Sequence, residues 1–196
     1  TDEAKLRALG DEGCLALIGD STNAVREGRS PSEVDVAKTL AELIANAPSR
    51  VAVTTFASNV ARVRAVAEAA HAAGREVVLV GRAMERVAQV ARETGYLDGI
   101  REFRGIDMYG HLPRDKVVAI CTGSQGEPRA ALARIAADEH PEIGLSKGDR
   151  VIFSSLVPST AVCAFGGDGW IIDIDVTTGN RAEALDTNGD AVIDAK

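Results

Sequence analysis

Aromatic residues are scarce: Phe, Trp and Tyr together make up 4% of the chain. That leaves few candidates for a surface that binds single strands by stacking bases on rings. Positive charge is outweighed, with 22 Lys and Arg against 29 Asp and Glu and a formal net charge of -7. Such a balance argues against a broad basic nucleic-acid footprint, although a local groove remains compatible with it. The three cysteines, Cys14, Cys121 and Cys163, are odd in number and lack any CxxC spacing. They offer no disulfide framework, and a reducing, cytoplasmic setting is the expectation. Cys14 and Cys121 lie within apolar runs, where small buried thiols are expected. Long hydrophobic runs are also missing; the apolar stretches are strand-length, far short of a membrane span.

What is present is a repeated cycle in a chain of 196 residues, enough for one domain or one domain with an appendage. "GCLALIG" (13–19) reads as a buried strand followed by a turn. Ser30, Pro31 and Glu33 then suggest a capping box opening a helix that carries Val36, Leu40, Leu43, Ile44 and Ala47. "RVAVTTF" (50–56) precedes an Ala- and Val-rich helix over 57–73 that stops at Gly74. "REVVLVG" leads to a helix over 82–94, and "KVVAIC" to a glycine-bearing loop and a helix over 129–138. "DRVIFSS" supplies another strand. Strands that are continuous apolar runs alternating with helices predict an α/β fold, a doubly wound, mostly parallel sheet with helices on both faces. This domain is expected to cover 1–155. Residues 156–196 are rich in Gly, Thr, Asp and Asn, with one strand candidate, "GWIIDIDV", and look like a separate tail.

In such a sheet ligands sit beyond the carboxyl ends of the strands. That rule gathers on one rim the loops Asp20-Ser21-Thr22-Asn23, Thr54-Thr55-Phe56-Ala57-Ser58-Asn59 and Thr122-Gly123-Ser124-Gln125-Gly126-Glu127, together with Ser154 and Ser155. Hydroxyls, amides and helix starts suit a phosphate or sugar, yet the same residue types also serve as plain caps and turns. "GSQGEP" lacks the Lys-Ser/Thr of a Walker loop, and no GxGxxG is present there. A nucleotide-fuelled enzyme is therefore not indicated.

Three segments carry a family resemblance: "GDEGCLALIGDSTNAVREGRSPSE", "VTTFASNVARVRAVAEAAHAAGREVVLVGRAMERVAQVARETGYL" and "CTGSQGEPRAALARIAADEHPEIGLSKGDRVIFSS". In that order they resemble the β-CASP region of ribonuclease J, a metallo-β-lactamase nuclease family, over about Thr1 to Ser155. "TGSQGEP" with "FASN" favours ribonuclease J over other RNA-processing β-CASP nucleases. The resemblance implies an enzyme with two zinc ions held in a β-lactamase domain, cutting RNA as a 5′-to-3′ exonuclease and endonuclease, and assembling as dimers or tetramers. It implies that Asp20 supports the metal network as the acid of the first β-CASP motif. With an RNA substrate so implied, the rim geometry places Ser21, Thr22, Asn23, Phe56, Ser58, Asn59, Arg82, Thr122, Gly123, Ser124, Gln125, Gly126, Glu127, Ser154 and Ser155 against the RNA backbone. "GRAM" (81–84) matches the family's "GRSM", with Arg82 either meeting a phosphate or standing as a solvated charge.

The family's HxHxDH zinc motif has no counterpart here, and its later histidine motifs are absent too. His71, His111 and His140 are scattered without ligand spacing; His71 reads as a helix-surface or packing residue and His140 as solvated. The zinc ligands, and with them hydrolysis, are expected to belong to a β-lactamase domain outside this chain, which begins at Thr1 without Met and reads as a fragment. After "FSS" the family pattern breaks. Asp186, Asn188, Asp190 and Asp194 fall at the spacing of a calcium loop, but Ala191 replaces its glycine and its last acid would lie past Lys196. Two other readings stay open: a non-catalytic structural or assembly domain, and a binder of small phosphates.

Overall fold

The structure is a computed structural model that describes residues 2–16, 18, 32–123, 129–154, 170–174 and 181–184. Helix α1 (Glu3–Glu12) is followed by α2 (Glu33–Ala45), β1 (Val51–Thr54), α3 (Val60–Ala72), β2 (Glu76–Val80) and α4 (Arg82–Glu93). Two short 3-10 turns, Ile106–Gly110 and Arg114–Lys116, lead into β3 (Val117–Cys121). Then come α5 (Ala131–Ala136), β4 (Arg150–Phe153), β5 (Trp170–Ile174) and β6 (Arg181–Ala184). The sheet order is β2-β3-β1-β4-β5-β6. β1 to β5 run parallel, and β6 is antiparallel to β5.

The unbroken apolar runs are explained by burial on both faces. Val51, Val53, Val77, Leu79, Val118, Ile120 and Ile152 turn to one side and pack with α2, α3 and α4. Their alternates Ala52, Val78, Val80, Val117, Ala119, Cys121, Val151 and Phe153 face the other side, against Leu132 and Ile135 of α5 and Tyr109. The period-2 alternation of a strand therefore serves two cores, and helices cover both faces as expected. Burial raises the Cys121 thiol pKa to about 12, so it is an inert packing group.

Four sequence expectations change. Gly13–Ala16 and Ile18 form no strand; Leu15 and Ile18 are fully exposed, and so is the Cys14 side. An apolar run becomes a strand only when a sheet edge receives it, and no described strand pairs with this one. The capping box exists two residues later: Ser32 Oγ accepts the Asp35 amide at 3.2 Å, and Asp35 reaches back to the Ser32 amide at 3.4 Å. Asp35 can do this at N3, while Glu33 is drawn away to Arg62. The helix predicted from 57 begins at Val60, because Asn59 Oδ1 accepts the Arg62 amide at 3.1 Å and caps it. The helix predicted over 129–138 shortens to α5, with Asp138 at positive φ closing it. The strand expected in "GWIIDIDV" is β5.

Candidate nucleic-acid interface

Parallel strands bring four carboxyl ends to one edge. The register sets Val80 beside Cys121, Cys121 beside Thr54, and Thr54 beside Phe153. The rim thus runs Gly81-Arg82, Thr122-Gly123, Thr55-Phe56, Ser154. Backbone bonds stitch it: the Thr55 amide donates to Cys121 O at 3.0 Å and the Ser154 amide to Thr54 O at 3.1 Å. Asp20, Ser21, Thr22 and Asn23, Ser124 to Glu127, and Ser155 lie outside the described residues, as do Asp186, Asn188, Asp190 and Asp194.

The described members divide into framework and surface. Ser154 is buried, and its hydroxyl donates to Thr54 O at 2.5 Å. Thr54 and Thr55 are buried as well, and Thr54 Oγ1 has no partner among the described residues. Thr122 O accepts the Leu132 amide at 3.1 Å, while its hydroxyl accepts the Ala131 amide at 3.4 Å, so it anchors the start of α5. Asn59 is a helix cap. Phe56, 40% exposed, and Ser58 face outward from the same turn. Arg82 is exposed at the first residue of α4, while Met84, two residues on, is fully buried and seats the "GRAM" segment.

Gly123 is required by its surroundings. Its φ is +118°, and a Cβ there would meet Leu132 Cβ at 2.8 Å and Ala130 Cβ at 3.2 Å. Gly123→Ala is expected to cost about 2–3 kcal/mol, combining strained backbone with overpacking. Thermal or denaturant unfolding checks this; a change of less than about 0.5 kcal/mol, the size of an ordinary surface substitution, would contradict it.

Sequence reasoning missed Arg62. This guanidinium is 2% exposed and donates to both Glu33 oxygens, Nε to Oε2 at 3.2 Å and Nη2 to Oε1 and Oε2 at 3.0 Å. Nη1 donates to Ser154 O. One side chain of α3 thereby ties the start of α2 to the end of β4, directly under the rim. The signal was available: Arg62 shares the buried stripe of Val66, Ala69 and Ala70, where a cation needs a partner.

Beside the β2 and β3 ends, an open-sided cleft of about 420 Å³ is lined by Arg82, Thr122, Arg129, Arg134, His140 and the carboxylates Glu85 and Glu142. His140 is half-buried in the cleft wall, not solvated as expected from its loop position. Burial, and then the nearby Arg134 charge, push its pKa below the ordinary histidine value, against the pull of Glu142. Its Nδ1 accepts the Glu142 amide at 3.3 Å. In the neutral ring that leaves the proton on Nε2. His71 is half-buried in α3, and its Nε2 is buried without a partner. Among the described residues no three His, Cys, Asp or Glu side chains converge on a metal-sized site. The described residues therefore do not fit a zinc centre. No helix among them is long and apolar enough to cross a membrane.

A mostly parallel α/β sheet with its polar loops gathered on the carboxyl rim is the architecture of a ligand-binding α/β domain. Residues 48–162 match the family model described as ribonuclease J, beta-CASP domain, and the chain belongs to that family. It is 59% identical over 155 residues to ribonuclease J of Sinorhizobium meliloti, covering 79% of this chain and 28% of that protein. Identity to ribonuclease J of Mycolicibacterium smegmatis is 45% over 171 residues, or 85% of this chain and 30% of that one. Ribonuclease J2 of Bacillus subtilis is 37% identical over 155 residues, 79% of this chain and 28% of its own length. The chain thus spans less than a third of the relatives it matches.

Proposed function

We propose that this chain is the RNA-contacting β-CASP portion of a ribonuclease J-type RNA-processing nuclease of the cytoplasm. It holds the strand's backbone on its carboxyl rim and depends on a zinc-bearing β-lactamase domain for hydrolysis. The observation that carries the proposal is the coincidence of the family's loops with the strand ends. The "FASN" turn, Arg82 and the Thr122-Gly123 start of "TGSQGE" meet along one edge, on a framework tied down by Ser154, Asn59 and Arg62. In this reading Ser21 to Asn23 and Ser124 to Glu127 also contact the RNA, and Asp20 supports the metal network. That domain, RNA and further copies of the chain are its partners.

Fluorescence anisotropy with a labelled, 5′-monophosphorylated single-stranded RNA tests the reading. Saturable binding at low salt is expected, weakening steeply as salt rises because each phosphate contact releases counterions. No cleavage is expected with zinc added. Metal-dependent cleavage by this chain alone, or no binding at low salt, would overturn it.

A further inference from the structure

We propose that the arginine-lined cleft beside the β2 and β3 ends is a second RNA-backbone subsite, in which Arg82, Arg129 and Arg134 take consecutive phosphates leaving the rim. The proposal rests on the reading of the rim as an RNA interface and extends it from Arg82 to Arg129 and Arg134, which lie outside the family's motif loops.

Its first support is charge placement. In a chain of net charge -7, three arginines converge on one cleft against two carboxylates. Several other surface arginines are paired, Arg64 with Glu68, Arg101 and Arg104 with Glu76 and Arg114 with Asp149, while Arg7 and Arg86 are exposed singly, away from this cleft. Arg82 and Arg129 are exposed and make no ion pair among the described residues, and Arg134 makes only a 3.2 Å bond to Glu139 O. Guanidinium forks left open in this way suit the bidentate geometry of phosphate oxygens.

The second is position. Thr122 belongs both to the rim and to the cleft wall, and Arg82 follows the β2 end directly. A strand lying along the rim therefore enters the cleft without a break. The cleft, about 420 Å³ and open on one side, lies within the size range of ligand sites, roughly 300–1,000 Å³, and lets a strand run through it.

The third is the lining itself. Among the described residues of the lining there is no Phe, Tyr or Trp to stack a base. The neutral His140 adds a hydrogen-bond donor without adding charge. Contacts of this kind position a strand and carry little sequence information.

The test uses the chain with the same labelled RNA over a salt series. Arg129→Gln/Arg134→Gln is expected to weaken binding about tenfold and to make the log-affinity against log-salt slope shallower by about 1.4, two contacts at ~0.7 each for a single strand. Both side chains are exposed, so the melting temperature should hold. Arg129→Lys/Arg134→Lys should keep the slope, because charge is retained, while losing part of the affinity. Unchanged affinity and slope in the Gln pair, with binding by the unsubstituted chain intact, would overturn the subsite and leave the rim reading standing. If the unsubstituted chain binds no RNA at all, the rim reading fails and the subsite fails with it.

Discussion

Asp149→Ala is expected to lower the stability of this domain by about 3 kcal/mol, with a melting-temperature drop of about 6–12 °C. Asp149 is 2% exposed. Its Oδ1 accepts Ser49 Oγ at 2.7 Å, the Arg50 amide at 3.1 Å and Arg114 Nη2 at 2.8 Å, while Oδ2 accepts the Ser146 amide at 3.0 Å. One carboxylate thus clamps the amino ends of β1 and β4, which also meet through the Arg150 amide and Arg50 O at 2.8 Å. Alanine would leave the Arg50 and Ser146 amides without their acceptor in a part-buried setting, and donors shielded from water cost more unpaired than their bonds contribute. Arg114 is 43% exposed and would recover water, so the loss stays near the lower end for a broken buried pair. Asp149→Asn keeps the volume and one acceptor oxygen and should cost about half as much. Equilibrium denaturation decides: an alanine variant within about 1 kcal/mol of the parent, inside the range of unremarkable substitutions, would remove the clamp from the account.

The contrast with Asp149 shows how far local sequence could carry the fold. β1 to β4 were legible because both faces of the sheet are covered, which writes each strand as an uninterrupted apolar run. Once the strands are parallel, the rim follows, since every carboxyl end must lie on the same edge. The run 13–19 has a similar apolar composition, yet its described residues, 13–16 and 18, form no strand, and nothing local distinguishes the run from Val51–Thr54. β6 is the reverse case: "RAEA" carries no strand preference and owes its state to pairing with β5. The caps slipped by two residues because Ser30-Glu33 and Ser32-Asp35 offer the same pattern, and the choice is made by Arg62, distant in sequence. The cleft was invisible for a related reason. Its arginines come from α4, α5 and the turn before α5, and His140 joins them from the segment after α5, so residues distant in sequence line one cleft.

The Glu33–Arg62–Ser154 latch is expected to behave asymmetrically, and the asymmetry separates a positioning role from ordinary packing. Removing the acid leaves a guanidinium that is 2% exposed with Ser154 O as its remaining acceptor. Removing the base leaves a carboxylate that is 56% exposed and readily hydrated. Glu33→Ala should therefore cost about 2–3 kcal/mol, the partial exposure of the pair keeping it below the full penalty for an unpaired buried charge. Arg62→Met keeps the stem's packing and should cost about 1–3 kcal/mol, chiefly through the unpaired Ser154 carbonyl. The double variant should cost clearly less than the sum, with a coupling of about 1–2 kcal/mol. Arg62→Lys should not rescue it, because one ammonium cannot hold both Glu33 oxygens and Ser154 O in the same geometry. A latch under the rim also predicts a functional readout: Arg62→Met should weaken RNA binding while leaving the salt slope unchanged, since Arg62 is buried and touches no phosphate. Additive stabilities would show that Glu33 and Arg62 are not coupled. A shallower salt slope would place Arg62 among the contacts instead of beneath them.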